Sequence, residues 1–292
     1  MSTRRPTLRA LAAAVSVSGA ACADGPSPVV LASTTSTYDS GLLDTLVARF
    51  REARPDRPVR VIVAGSGETL ELARRGDADI VIVHAPAAEE RFMAAGHVTE
   101  RALLMRNDFL LVGPPGDPAG IGGMTDPASA LARIAESGAT FVSRGDSSGT
   151  HERELALWRE AGAGPARPWY VESGQGQGTS LQIASERRAY TLTDRATFVI
   201  LRGVLDLVPL VEGHPGLLNV YSVILPTAAA RPAEARVLAD WLLSAEGQRA
   251  IGEYRLGGGG ERLFAPAAEP AADAVPAAED SAASAVTDPA SS

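Results

Sequence analysis

The chain has 292 residues, 45% of them hydrophobic and 21% charged, which is ordinary globular usage and excludes collagen-like, coiled-coil and wholly disordered chains. The net charge is −8, all 27 basic residues are arginine and no basic run occurs, which argues against nucleic acid as the main partner. Aromatics make up only 5%, so a large core must be built mainly from Ala, Val, Leu and Ile.

The ends differ from the middle. Residues 1–22 carry Arg4-Arg5 and then an apolar stretch from Ala10 to Ala21, the pattern of an export signal. That stretch is far shorter than the roughly 20 residues needed to span a bilayer. Cys22, the one cysteine, stands in Ser-Gly-Ala-Ala-Cys, where a lipoprotein signal is cleaved and acylated. The competing site is after Ala23, and Gly19 stands where most lipoprotein signals have Leu. Lipidation at Cys22 and a periplasmic or extracytoplasmic location are the expectation, with membrane contact only through that anchor. At the far end, residues 266–292 form an Ala, Pro, Ser and acidic tract, expected to be disordered because it cannot bury enough apolar surface.

Between the ends, short apolar runs alternate with helical patterns. Val29–Leu31 predicts a strand, followed by a Ser/Thr loop and a helix over 41–53 with Leu42, Leu43, Leu46, Val47 and Phe50 on one face. Val59–Ala64 predicts a strand and Gly65-Ser66-Gly67 opens a helix; Ile80–Val83 is a buried strand, 89–95 a helix and Phe109–Val112 a strand. Pro114–Pro118 then interrupts the pattern. The second series has helices over 128–136, 150–161 and 180–186 and from Arg195, strands at Thr140–Ser143 and Tyr190–Leu192, then a strand at Val220–Leu225 and a helix over 233–243 leading into 247–251. This alternation predicts an α/β protein of two lobes, with mostly parallel sheets flanked by helices and a hinge near residue 114. Lobe I takes 23–113 and 219–265, and lobe II takes 114–218.

Four loops share one form, hydroxyl residues and Gly at the start of a helix: Ser33–Thr37, Gly65–Gly67, Arg144–Thr150 and Gly174–Ser180. Helix N-termini present unpaired N–H groups and the positive end of the dipole, Ser and Thr add donors, and Arg144 adds a planar fork suited to paired oxygens. One such loop alone reads as ordinary capping. Four of them, divided between two lobes and including an arginine, point to a tetrahedral oxyanion held in the cleft.

The stretch Ser33-Thr34-Thr35-Ser36-Thr37-Tyr38-Asp39-Ser40-Gly41-Leu42-Leu43-Asp44 resembles the signature of the tungstate-binding proteins, the extracytoplasmic receptors of tungstate ABC importers. Similar too are Gly76–Asp79 with His84-Ala85-Pro86, Asn107-Asp108-Phe109, Phe141–His151 with Glu154–Trp158, and Ala184–Glu186 with Ala189–Arg195. The likeness spans about residues 29–265. It implies a type II periplasmic-binding-protein fold, tungstate as ligand with molybdate as a second one, no cofactor, and the ABC permease and ATPase as partners of a monomeric receptor. Carried over residue by residue, it implies a ligand set of Ser33, Thr34, Thr35, Ser36, Ser66, Arg144, Ser147, Ser148, Gly149 and Thr150. Two positions depart from the family: Ser33 stands where Thr is usual, and Glu68 lies beside the pocket loop.

A phosphate or sulfate receptor is the nearest alternative, since Arg-x-Asp-x-Ser-Gly-Thr is also similar to a phosphate-receptor loop. A site made only of donors suits a fully deprotonated dianion, whereas protonated phosphate needs an acceptor, for which Asp39 and Asp146 are available. Ser147, His151 and Asp146 raise the further alternative of an exported serine hydrolase, but they crowd one loop and no Gly-x-Ser-x-Gly elbow occurs. An anion sensor signalling to a membrane partner would bind the same ligand. The histidines His84, His97, His151 and His214 show no metal-ligand spacing, and His84 reads as a packed residue.

Overall fold

A computed structural model of the chain describes residues 27–166, 168–256 and 260–267. The export segment, Cys22 and the acidic tract beyond Ala267 lie outside the described residues. The elements in order are β1 (Val29–Thr34), α1 (Thr35–Asp39), α2 (Leu42–Ala53), β2 (Val59–Ala64), α3 (Ser66–Arg75), β3 (Ile80–Val83), α4 (Pro86–Ala94), β4 (Val98–Gly113), α5 (Pro127–Ser137), β5 (Phe141–Ser143) and α6 (Gly149–Glu160). They continue with β6 (Tyr170–Glu172), α7 (Gln177–Arg187), β7 (Thr191–Asp194), α8 (Arg195–Leu201), β8 (Val208–Val211), β9 (Leu218–Pro226), α9 (Pro232–Leu243), α10 (Ala245–Glu253) and β10 (Ala265–Pro266).

In lobe I the strand order is β10-β4-β9-β3-β1-β2. Every residue of β1 and β3 is buried, as unbroken apolar runs covered on both faces should be. The five apolar residues of α2 pack on one face of this sheet with Trp241 of α9, whose ring meets Phe50 edge-on at 5.6 Å. Leu70, Ala73 and Phe92 of α3 and α4 cover the other face. Each side chain of that size stabilises by about 1.5–3 kcal/mol when buried. In lobe II, β7 and β8 flank the end of β4, while β5 and β6 pair in parallel and a single bridge, Phe141 to Tyr190, joins them to the rest.

Three expectations change. The sheets are mixed: β1, β2 and β3 pair in parallel, as do β5 and β6, but every pair made by β4 or β9 is antiparallel. The strand expected at Phe109–Val112 is the tail of a 16-residue strand. Glu100, Arg101, Arg106 and Asn107 break the apolar run and hide its first part. Yet exposure alternates along 98–103, and Glu100 and Arg101 face Arg236 and Glu89 as ion pairs. The chain therefore crosses between lobes inside β4: Val98–Asp108 pairs with β9 and Phe109–Val112 with β7, so the change of partner precedes Pro114. Arg195 locks this point, donating to Asp108 at 2.8 and 2.6 Å and to Glu212 at 2.6 Å. Finally, Pro266 does not open the tail. It is buried in β10 against Met105, and Ala267 N–H donates to Gln248 Oε1 at 2.8 Å.

Candidate functional site

The site forms where strands end, at the C-terminal edges of β1, β2, β3 and β5. At the end of β1, Ser33 and Thr34 are buried, and at the start of α1 Ser36 is buried and Thr35 half-buried. Thr37 donates to the Thr34 carbonyl at 2.7 Å, so the 2.8 Å contact between Ser33 Oγ and Thr37 Oγ1 takes the hydrogen of Ser33. Ser33 thus braces the turn. The side chain of Thr34 does not cap α1; its Oγ1 lies 3.2 Å from Ser36 Oγ instead. After β2, α3 starts without a side-chain cap and Ser66 is 1% exposed.

From lobe II comes Arg144, only 4% exposed, paired with Asp146 at 2.5 Å through Nη2. Gly145 and Ser147 adopt left-handed backbone (φ 61° and 56°), which folds the loop tightly enough for Asp146 Oδ1 to accept the Ser148 N–H. Ser148 is the N-cap of α6, accepting from His151 N–H, and Gly149 and Thr150 form the first buried turn. Ser147 is exposed, and its backbone N–H, not its hydroxyl, meets His151 Nδ1. The nucleophile–base contact of a hydrolase is therefore missing in this arrangement. The loop stands on Glu154, whose Oε2 accepts from Ser143 Oγ at 2.8 Å while Oε1 accepts from Tyr170 and Trp158. Burial raises the Glu154 pKa to about 7. In the fourth loop, α7 begins at Gln177 without a side-chain cap.

The two lobes bring the second and third of these loops together. A Cβ placed on Gly67 would lie 3.4 Å from the Ser147 carbonyl oxygen, and one placed on Gly149 would overlap the His84 carbonyl. The charge of Arg144 is felt across the cleft on lobe I. It opposes the burial and Asp194 charge that raise the Asp39 pKa, and it adds to the burial that lowers the His84 pKa to about 4, so His84 is neutral. Asp194, fully buried, caps α8 through Thr197 and is raised by burial as well.

Among the described residues, the buried donors with no hydrogen-bond partner are Ser66 Oγ, Thr69 Oγ1, Asn107 Nδ2, Arg144 Nε, Thr150 Oγ1, Arg153 Nε and Trp241 Nε1, and the acceptors are Glu152 Oε2 and Gln177 Oε1; Ser66, Arg144 and Thr150 are the donors that lie on the sequence-predicted loops. An unmet buried donor costs about 1–3 kcal/mol, and these three stand on two loops that approach each other at Gly67 and Ser147, where an acceptor would satisfy them. No cluster of three or more metal-ligating side chains exists among the described residues.

One group is missing from the sequence reading of the site. His84 Nδ1 lies 3.0 Å from Asn219 Oδ1, Asn219 Nδ2 donates to Asn107 Oδ1 and to Tyr221 Oη, and Tyr221 Oη lies 3.1 Å from Ser36 Oγ. The signal was present as two asparagines inside apolar strands, where β-structure disfavours them.

A family model described as a PBP superfamily domain matches residues 16–246. A curated relative, the tungstate-binding protein TupA of Peptoclostridium acidaminophilum, is 42% identical over 244 residues, covering 82% of this chain and 85% of its own. Of the solved structures, the tungstate ABC transporter from Geobacter sulfurreducens is 44% identical with a TM-score of 0.71, covering 78% of this chain and 98% of that one. The tungstate-binding protein TupA from Desulfovibrio alaskensis G20 is 41% identical with a TM-score of 0.70, covering 83% of this chain and all of that one.

Proposed function

Because the chain belongs to the PBP superfamily and, within it, to the tungstate-binding proteins, we propose that it is an extracytoplasmic receptor that captures tungstate and hands it to the permease of an ABC importer. The observation that carries this reading is the presence of unpartnered buried donors, Ser66 Oγ, Arg144 Nε and Thr150 Oγ1, on two loops from opposite lobes that approach each other at Gly67 and Ser147. A tetrahedral dianion supplies oxygens to all three at once and is stabilised by the Arg144 charge. Thr34, Thr35, Ser36 and Ser66 act from lobe I, with Ser33 bracing them; Arg144, Ser147, Ser148, Gly149 and Thr150 act from lobe II. Molybdate has the same charge and shape and is the second ligand. The protein is a carrier and catalyses no reaction.

Its partners are the permease and ATPase subunits, reached by a monomer through the outer faces of both lobes. Export and a lipid anchor at Cys22 keep it outside the cytoplasm; no described helix is long and apolar enough to cross a membrane. Phosphate is the weaker reading because Asp146, one of the two candidate acceptors for the proton of hydrogen phosphate, is already engaged by Arg144 and the Ser148 N–H.

Thermal unfolding of the mature chain with equal concentrations of tungstate, molybdate, sulfate and phosphate tests the proposal. A ligand at 100 times its Kd adds about 2.7 kcal/mol. Stabilisation by tungstate and little by sulfate or phosphate is expected, and Arg144→Ala should abolish it. Stabilisation by phosphate alone moves the assignment to a phosphate receptor, and none by any anion refutes the oxyanion site.

A further inference from the structure

The chain of hydrogen bonds that ends on Thr34 has a direction, and that direction starts at His84. His84 is neutral, and its Nδ1 faces the carboxamide oxygen of Asn219, so Nδ1 carries the hydrogen and donates it. The Asn219 Nδ2 group can only donate, and both its hydrogens are engaged, one by Asn107 Oδ1 at 2.8 Å and one by Tyr221 Oη at 3.2 Å. Tyr221 Oη has therefore accepted, and its single hydrogen goes to its other neighbour, Ser36 Oγ. Ser36, having accepted in turn, donates to Thr34 Oγ1 at 3.2 Å. The Thr34 hydroxyl is left with its own hydrogen uncommitted to this chain. Asn107 Nδ2 has no other partner, and the Asn107 side chain favours the ionised Tyr221 phenol, the effect of a donor, so it supports the same direction. All six residues are buried, and the His84 ring stacks on Tyr221 at 4.6 Å, which holds the phenol in line.

We propose that Asn107, Asn219 and Tyr221 are positioning residues that fix the polarity of the Ser36 and Thr34 hydroxyls, so that Thr34 meets the ligand as a donor only and this part of lobe I favours oxyanions that carry no proton. This rests on the receptor reading above and adds a specificity rule to it. A hydroxyl is by nature both donor and acceptor, and a free Thr34 would turn to accept from hydrogen phosphate. Locked in the donor sense, it meets the phosphate O–H with another hydrogen. Tungstate, molybdate and sulfate pass this filter alike, and their ranking is left to size.

Two variants leave the shape of the wall in place. Tyr221→Phe removes the hydroxyl that orders the chain and keeps the ring on His84. Asn219→Asp puts an acceptor where Nδ2 donated, so Tyr221 donates to it, Ser36 donates to Tyr221, and Thr34 turns its lone pair to the pocket. Isothermal titration of each full-length mature protein with tungstate, sulfate and phosphate, at pH values on either side of the second ionisation of phosphate, reads the result. We expect Tyr221→Phe to weaken tungstate and sulfate by about tenfold and phosphate by less, and Asn219→Asp to narrow the tungstate-to-phosphate ratio by about a hundredfold. The added charge weakens all anions together, so the ratio is the measure. Equal weakening of every anion, or no change in any, overturns the proposal; should Asn219→Asp not fold, Tyr221→Phe decides alone. Wild-type protein that binds no tungstate overturns the receptor reading itself, an outcome distinct from wild-type binding with unchanged ratios in the variants.

Discussion

Glu154 shows how a residue outside the pocket governs it. Its carboxyl group is protonated in the folded protein up to a pH of about 7, against an ordinary glutamate value of 4.5. The folded state therefore holds this proton where the unfolded chain has lost it, and stability falls as pH rises from 4.5 towards 7 by about 3 kcal/mol. Glu154→Gln mimics the protonated form: its amide nitrogen donates to Ser143 and its oxygen accepts from Trp158 and Tyr170. Urea unfolding should find the variant level with wild type near pH 4.5 and more stable above pH 7. His84 works in the opposite sense. Its depressed pKa means that the unfolded chain takes up a proton first, so stability is lost as pH falls from 6.5 towards 4 in both proteins, and it cancels from their difference. Arg144 and the hydroxyl loops were legible in the sequence because Ser, Thr, Gly and Arg concentrate there. The Tyr221 and Asn107 contacts were not, since Tyr221 and Asn219 sit 185 and 112 positions from their partners Ser36 and Asn107.

At the scale of elements, α6 is held by its first turn. Gly149 lies against the His84 carbonyl of the other lobe, where no side chain fits. Gly149→Ala should leave the unfolding midpoint of the anion-free protein nearly unchanged, because the lobes can part by the width of a methyl group. It should weaken tungstate binding by about a hundredfold, as donors held too far apart lose the contacts that orientation gave them. Titration calorimetry beside a thermal scan checks both halves. Ser148→Ala removes the N-cap and should cost about 1 kcal/mol in either state. Helices α2, α5 and α6 were readable from their apolar stripes and capping residues. The first half of β4 was not, because its charged residues look like a loop until their cross-strand and helix partners are known. The short strands β6, β8 and β10 owe their form to neighbours and have no pattern of their own.

Across the whole molecule, ion pairs bridge the lobes with unequal weight. Arg195 grips Asp108 with two hydrogen bonds and Glu212 with a third, all at the crossing. Arg91 of α4 reaches Glu152 of α6 at 3.0 Å with its side chain 69% exposed. Arg195→Ala should lower stability by about 1.5–3 kcal/mol, and Arg91→Ala by less than about 0.5 kcal/mol, as read from urea midpoints. The two-lobed α/β architecture was legible from the alternation of elements, whereas the crossing was not: Pro114–Pro118 interrupts the pattern more visibly than a strand that passes from one sheet to the other without a break. Strand β9 has a consequence for how the protein is made. It is inserted between β3 and β4, although some hundred residues of lobe II are synthesised before it. Lobe II can close as soon as β8 has emerged, but the first lobe to be translated is the last to be finished. A nascent or truncated chain ending before Leu218 holds β3 and β4 with bare, apolar edges, the form most prone to pair with other chains. Such a protein depends on being kept from its neighbours until its final quarter has arrived.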